Sequence, residues 1–184
     1  MSSTTTLVTA DEFSAMHHER PSELIRGEVV EMTSPGSRHG KICSNVSYLL
    51  EVWSRRQSMP WVVISNDAGV QTSGFPESVR GPDVYAIRHD RLPDGVLPDG
   101  HMIVAPELCV EVMSPSDRWP EILSKVSEFL RAGVLEVWVI DPARRRVHLY
   151  QSDDEPTVLD ASDKLASLAL AGLEFGVQEL FFLT

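Results

Sequence analysis

Residues 106–141 read PELCVEVMSPSDRWPEILSKVSEFLRAGVLEVWVID, and the fold follows from how this stretch divides. Leu108, Cys109, Val110, Val112 and Met113 make a short apolar run, the pattern of a strand covered on both faces. LEVWVID, ending at Pro142, is a second such run. Between them, Asp117 to Ala132 places Ile122, Val126, Phe129 and Leu130 on one helical face, and Gly133 stops the helix. A buried strand, a helix and a buried strand imply a right-handed crossover and at least one parallel pair.

The flanking sequence adds strands and two more helices. Thr9 and Glu12 form a capping box for a helix from about Ala10 to His18. SELIRGEVVEM reads as two strands with a turn near Gly27. From Ser37 to Arg56, Ile42, Val46, Leu49, Leu50 and Trp53 mark one buried helical face. WVVIS and AGVQT read as strands joined by a turn at Asn66-Asp67. PDVYAI is another strand, and the doubled Leu-Pro-Asp-Gly after it is turn chemistry. RRVHLYQ and PTVLD supply late strands. The expected class is α/β or α+β: a mixed β-sheet flanked by helices.

The chain has 184 residues, enough for one domain over residues 1–184, with residues 1–8 expected as a loose tail. No apolar run reaches the roughly 18 residues that a membrane span needs. Cys43 and Cys109 form no metal-binding or disulfide pattern, so a reducing, cytoplasmic setting is expected. The net charge of −11 argues against broad non-specific nucleic-acid binding, which uses an excess of Lys and Arg. Arg55-Arg56 and Arg144-Arg145-Arg146 are the dense basic spots.

Glu111 breaks the apolar run of its strand. An ionised carboxylate cannot be buried alone; it must be paired, protonated or bound to a metal. It lies near the C-terminal end of its strand, where open sheets bind ligands. Asp83 opens the next strand upstream behind Pro82, which cannot donate a ladder hydrogen bond. Lys125 falls just outside the apolar stripe of the following helix, within reach of the same strand end or of water. Two carboxylates and a lysine suit a hard ion such as Mg²⁺ acting on a phosphate ester. His39 shares the inward face of its helix at the electropositive N-terminal end.

PDVYAI, ELCVEVMSPS, Lys125 and RAGVLEVWVIDP, with SELIRGEVVEM and SRHGKICSNVSYLL upstream, resemble the Uma-type family of restriction endonucleases, within the PD-(D/E)xK nuclease superfamily. The resemblance runs from about Leu7 to Phe182. It implies a restriction-endonuclease-like fold and Mg²⁺-dependent hydrolysis of DNA, with Mn²⁺ as a substitute. Asp83 and Glu111 would hold the metal with Glu23 assisting, Lys125 would act on the water or transition state, and His39 would join the catalytic set. The superfamily's usual lysine position holds Met113, so the scheme depends on the helix returning Lys125 to the strand. Superfamily members often pair, which implies a homodimer. The acidic charge favours a rival reading, a catalytically silent nuclease-fold module that binds protein or nucleic acid. A hydrolase of another phosphate ester is a third.

Overall fold

The computed structural model describes residues 6–152 and 154–183. The segment singled out above folds as expected. β7 (Leu108–Val112) and β8 (Glu136–Asp141) pair in parallel, joined by α3 (Trp119–Ala132). Gly133 ends α3 in the left-handed conformation, φ 102°, which explains a glycine at this stop. The helix begins at Trp119 rather than Asp117, because Asp117 is tied back to the Ser114 N–H at 2.6 Å.

These strands lie inside a six-stranded sheet of order β10-β9-β8-β7-β6-β3. Its other members are β3 (Trp61–Ser65), β6 (Val84–Arg88), β9 (Arg146–Tyr150) and β10 (Thr157–Asp160). All its pairs except β7 with β8 are antiparallel. A second sheet of order β2-β1-β5-β4 contains β1 (Ser22–Ile25), β2 (Glu28–Glu31), β4 (Val70–Gly74) and β5 (Glu77–Arg80). β11 (Lys164–Ala166) and β12 (Glu174–Gly176) form a small hairpin. The mixed α+β class is therefore as expected, but the strands divide between sheets. WVVIS and AGVQT do not pair with each other. The turn at Asn66 and Asp67, both at positive φ, carries the chain from one sheet to the other.

Alternation along the central strands gives each face its own core. Val84, Leu108, Val110 and Trp138 face α2 (Ser37–Ser54), whose Ile42, Val46 and Leu50 are fully buried. Tyr85, Cys109, Val137 and Val139 face α3 through Ile122, Val126 and Phe129. Each of these larger side chains contributes roughly 1.5–3 kcal/mol by leaving water.

α1 covers only Ala10–Ala15, shorter than expected, because Met16 turns extended. The capping box of Thr9 and Glu12 is present. The expected loose tail docks by Leu7 and Val8: the Val8 N–H donates to the Gly27 carbonyl at 2.9 Å, and Leu7 covers Gly27. Residues 1–5 lie outside the described set.

Candidate active site

Strand register assembles the site's centre. β6 and β7 run antiparallel with Val84 opposite Val110. One step further, Asp83 comes opposite Glu111, so both carboxylates leave the same face of the sheet. That face is covered by α3, which brings Lys125 onto it. The Lys125 ammonium lies 2.9 Å from both Glu111 oxygens, 2.9 Å from Glu23 Oε1 and 2.7 Å from the Gly81 carbonyl. Glu23 comes from β1 in the other sheet. Asp83 is held differently: its Oδ2 accepts from the Val112 N–H, and its Oδ1 is 3.2 Å from His39 Nε2 at the start of α2.

A cleft of about 400 Å³ opens over these groups. It is lined by all five residues singled out in the sequence: Glu23, His39, Asp83, Glu111 and Lys125. The carboxylates and Lys125 are nearly inaccessible, Glu111 being 5% and Lys125 7% exposed.

The structure adds three residues that the sequence did not single out as functional. Arg80, the last residue of β5, has its Nε 3.3 Å from Glu23 and 3.5 Å from Glu128. Asp67, read as a turn residue, also lines the cleft. Gly81 links the elements: its N–H donates to Glu23 Oε1 at 2.9 Å, its carbonyl accepts from Lys125, and a Cβ there would lie 2.7 Å from the Asp67 carbonyl oxygen. An exposed Pro-Gly context or a conformational need would be the sequence signal for such a glycine; close backbone approach leaves none.

The charges do not balance. Glu23, Asp67, Asp83, Glu111 and Glu128 face the two permanent cations Lys125 and Arg80, together with His39. Burial pushes Glu111 up to about 8; Lys125 opposes this, and the Asp83 and Glu23 carboxylates add to it. Burial works against the Lys125 charge, but Glu111 and Glu23 outweigh it and hold the ammonium above its ordinary value. Both directions follow from burial of more carboxylates than one ammonium can offset: the lysine keeps its charge and Glu111 holds a proton. Burial, then Asp83, raises Asp67 to about 6. For His39, burial opposes protonation, but the hydrogen bond to Asp83 and the charges of Asp83, Asp67 and Asp117 together outweigh it, so its value rises.

A divalent cation fits this excess of negative charge. Glu23 Oε2 and Glu111 Oε1 are buried without a hydrogen-bond partner, and oxygen donors suit Mg²⁺ or Mn²⁺. A second grouping, His39, Cys43 and Asp83, also brings potential ligand atoms within 4.8 Å of one another. Cys43 suits a metal less well, because burial and the Asp83 charge hold its proton in place and only a thiolate ligates.

Comparison with known proteins gives the family and the fold. A family model, Uma2, described as "Putative restriction endonuclease", matches residues 10–178. No curated protein matches. Among solved structures, one described as "a putative nuclease belonging to DUF820" from Anabaena variabilis ATCC 29413 superposes with a TM-score of 0.79 at 22% identity. The alignment covers 95% of this chain and 97% of that one, and at this identity it establishes the shared fold. Among the described residues, no helix is long and apolar enough to cross a membrane.

Proposed function

The chain belongs to the Uma2 family, and from that premise we propose that it is a metal-dependent endonuclease hydrolysing DNA phosphodiester bonds. The observation that carries the proposal is the buried excess of carboxylates around Lys125, with Glu111 Oε1 and Glu23 Oε2 held by ion pairs but in no hydrogen bond. A fold with no need of a cation gains nothing from such a cluster, since a buried excess of carboxylates over cations is destabilising.

Asp83 and Glu111 are the metal-holding residues, with Glu23 assisting. The bound ion would supply a polarised phosphoryl oxygen and a more acidic water. The protein does the rest. The Val112 N–H and His39 orient the Asp83 carboxylate. Lys125 offsets the repulsion between Glu23 and Glu111, and its ammonium would stabilise negative charge developing on a phosphate bound in the cleft. His39, in the first turn of α2, adds a proton donor beside backbone N–H groups that no side chain caps, a favourable place for a phosphate oxygen.

The test is cleavage of plasmid and oligonucleotide DNA in Mg²⁺ or Mn²⁺ by the wild type, Asp83→Ala and Lys125→Ala. Loss of cleavage in both variants is expected; wild-type rates in either would sink the assignment. The net charge of −11 favours the second reading, a binding module without catalysis. Calorimetric titration with Mn²⁺ separates the two, because the module would bind none at millimolar metal.

A further inference from the structure

Arg80 differs from arginines nearer the surface: Arg91 donates to Glu107 at 2.7 Å, and Arg38 donates to the Pro142 carbonyl at 2.7 Å. Arg80 is more deeply buried, its side chain 9% exposed, yet its Nε forms no hydrogen bond. The two glutamate oxygens nearest it, Glu23 Oε2 and Glu128 Oε2, are likewise buried and in no hydrogen bond. Arg80 Nε thus pairs in charge with the two glutamates, 3.3 Å from Glu23 Oε2 and 3.5 Å from Glu128 Oε2, without a hydrogen bond to either. A buried guanidinium held by ion pairs alone keeps donor capacity for a further acceptor.

A further partner must enter through the cleft, because Arg80 lines it. It must be an acceptor, because a guanidinium has five donors and no acceptor. It must also be anionic, to draw the guanidinium from two carboxylates. A phosphate meets all three conditions, and the planar donor fork of arginine matches its oxygens. Arg80 stands across Glu23 from Lys125, which puts the two cations on either side of one carboxylate.

Resting on the nuclease reading, we infer that Arg80 binds a backbone phosphate of the substrate directly, by a charge-assisted hydrogen bond formed inside the cleft. The contact is independent of base sequence, since phosphates carry none. Arg80 is then a substrate-contacting residue, and a role limited to holding Glu23 in place is the alternative that the experiment must exclude.

The experiment measures binding of a phosphorothioate duplex in Ca²⁺ by fluorescence anisotropy across a range of NaCl concentrations. It compares wild type, Arg80→Gln, Arg80→Lys and, as a control outside the cleft, Arg131→Gln. In parallel, inorganic phosphate is titrated calorimetrically into the same proteins in Mg²⁺. Loss of one phosphate contact lowers the slope of log K against log salt by about 0.9. That loss is expected in Arg80→Gln, with the slope restored by Arg80→Lys and unchanged in Arg131→Gln. Affinity for phosphate should fall about tenfold in Arg80→Gln, the size of one such contact. An unchanged slope and unchanged phosphate affinity in Arg80→Gln would overturn the assignment while leaving DNA binding intact. Arg80-dependent phosphate binding without duplex binding would overturn the DNase reading and keep the Arg80 contact. A wild type that binds neither probe overturns both.

Discussion

Glu111 and Glu136 are both carboxylates buried in adjacent parallel strands, 5% and 0% exposed, yet their surroundings differ in kind. Glu136 is fully satisfied by neutral donors. Its Oε1 accepts from Trp138 Nε1 at 2.6 Å, and its Oε2 accepts from the Ser167 hydroxyl and the Leu168 and Ala169 N–H groups, each at 2.9 Å. It ties the segment after β11 to the central sheet. Glu111 instead has one ammonium to share with Glu23, an oxygen with no hydrogen bond, and Asp83 opposite it. A buried carboxylate is therefore not in itself a sign of function. The difference lies in the partners: Glu136 is completed by neutral donors of the fold, while Glu111 shares one ammonium in a cluster with more carboxylates than cations.

Exchanging each carboxylate for its neutral amide tests that difference most strongly. Glu111→Gln should lower DNA cleavage on the order of 10³-fold, the scale expected for a residue acting in the reaction itself. It should leave metal-free stability within about 1 kcal/mol, since the acid already holds a proton near neutrality. Glu136→Gln should do the reverse. Its amide nitrogen would face donors instead of accepting from them, which costs about 3 kcal/mol of stability. Cleavage per folded molecule should be unchanged. Denaturant melts and initial rates on the two variants decide it, and the same loss pattern in both would erase the distinction.

Much of this was legible in the sequence, and the exceptions have physical causes. The β7-α3-β8 unit stands out because its apolar runs, helical stripe and terminating Gly133 all agree. Glu23, His39, Asp83, Glu111 and Lys125 were found as outliers against apolar surroundings or by family resemblance, and the fold gathers them. Arg80 was missed because β5 has only Val79 as an apolar residue, and Arg80 is buried by ion pairing rather than by apolarity. Asp67 hid inside a turn signal that was itself correct. Glu136 carried the same signal as Glu111, a carboxylate in an apolar run, and sequence alone could not tell the satisfied one from the other. Partners distant in sequence, here residues 167–169, decide that.

Gly81 sharpens the contrast at intermediate scale, because it belongs to the Glu111 cluster but acts through the backbone. A methyl group at this position meets the Asp67 carbonyl at 2.7 Å, a backbone atom that cannot swing aside. Gly81→Ala should cost about 2 kcal/mol through this overpacking. Because its N–H and carbonyl hold Glu23 and Lys125, it should also weaken Mn²⁺ binding measured calorimetrically. A loss of stability with unchanged metal affinity would show that the strain relaxes away from the site.

The smallest effect is graded with pH, and its sign follows from which state binds more protons. Glu111 shifts from an ordinary 4.5 to about 8 on folding, so between those values the folded chain holds a proton that the unfolded chain has lost. The contribution of Glu111 to the stability of the metal-free protein is then fullest below about 4.5 and falls as pH rises towards 8. Asp67, raised to about 6, and His39, raised from 6.5, have the same sign. Metal binding runs opposite, because the carboxylate must release its proton to become a ligand. Its affinity should climb up to about tenfold per pH unit for a single released proton, levelling near 8 where Glu111 ionises. Thermal midpoints in EDTA should therefore decline with pH while Mn²⁺ affinity rises. In Glu111→Gln the decline should shrink to the share of Asp67 and His39, and in Glu136→Gln it should keep its wild-type steepness. Equal pH slopes in wild type and Glu111→Gln would mean that Glu111 enters the folded state already ionised, and the cluster would then be a closed salt-bridge network rather than a site awaiting a cation.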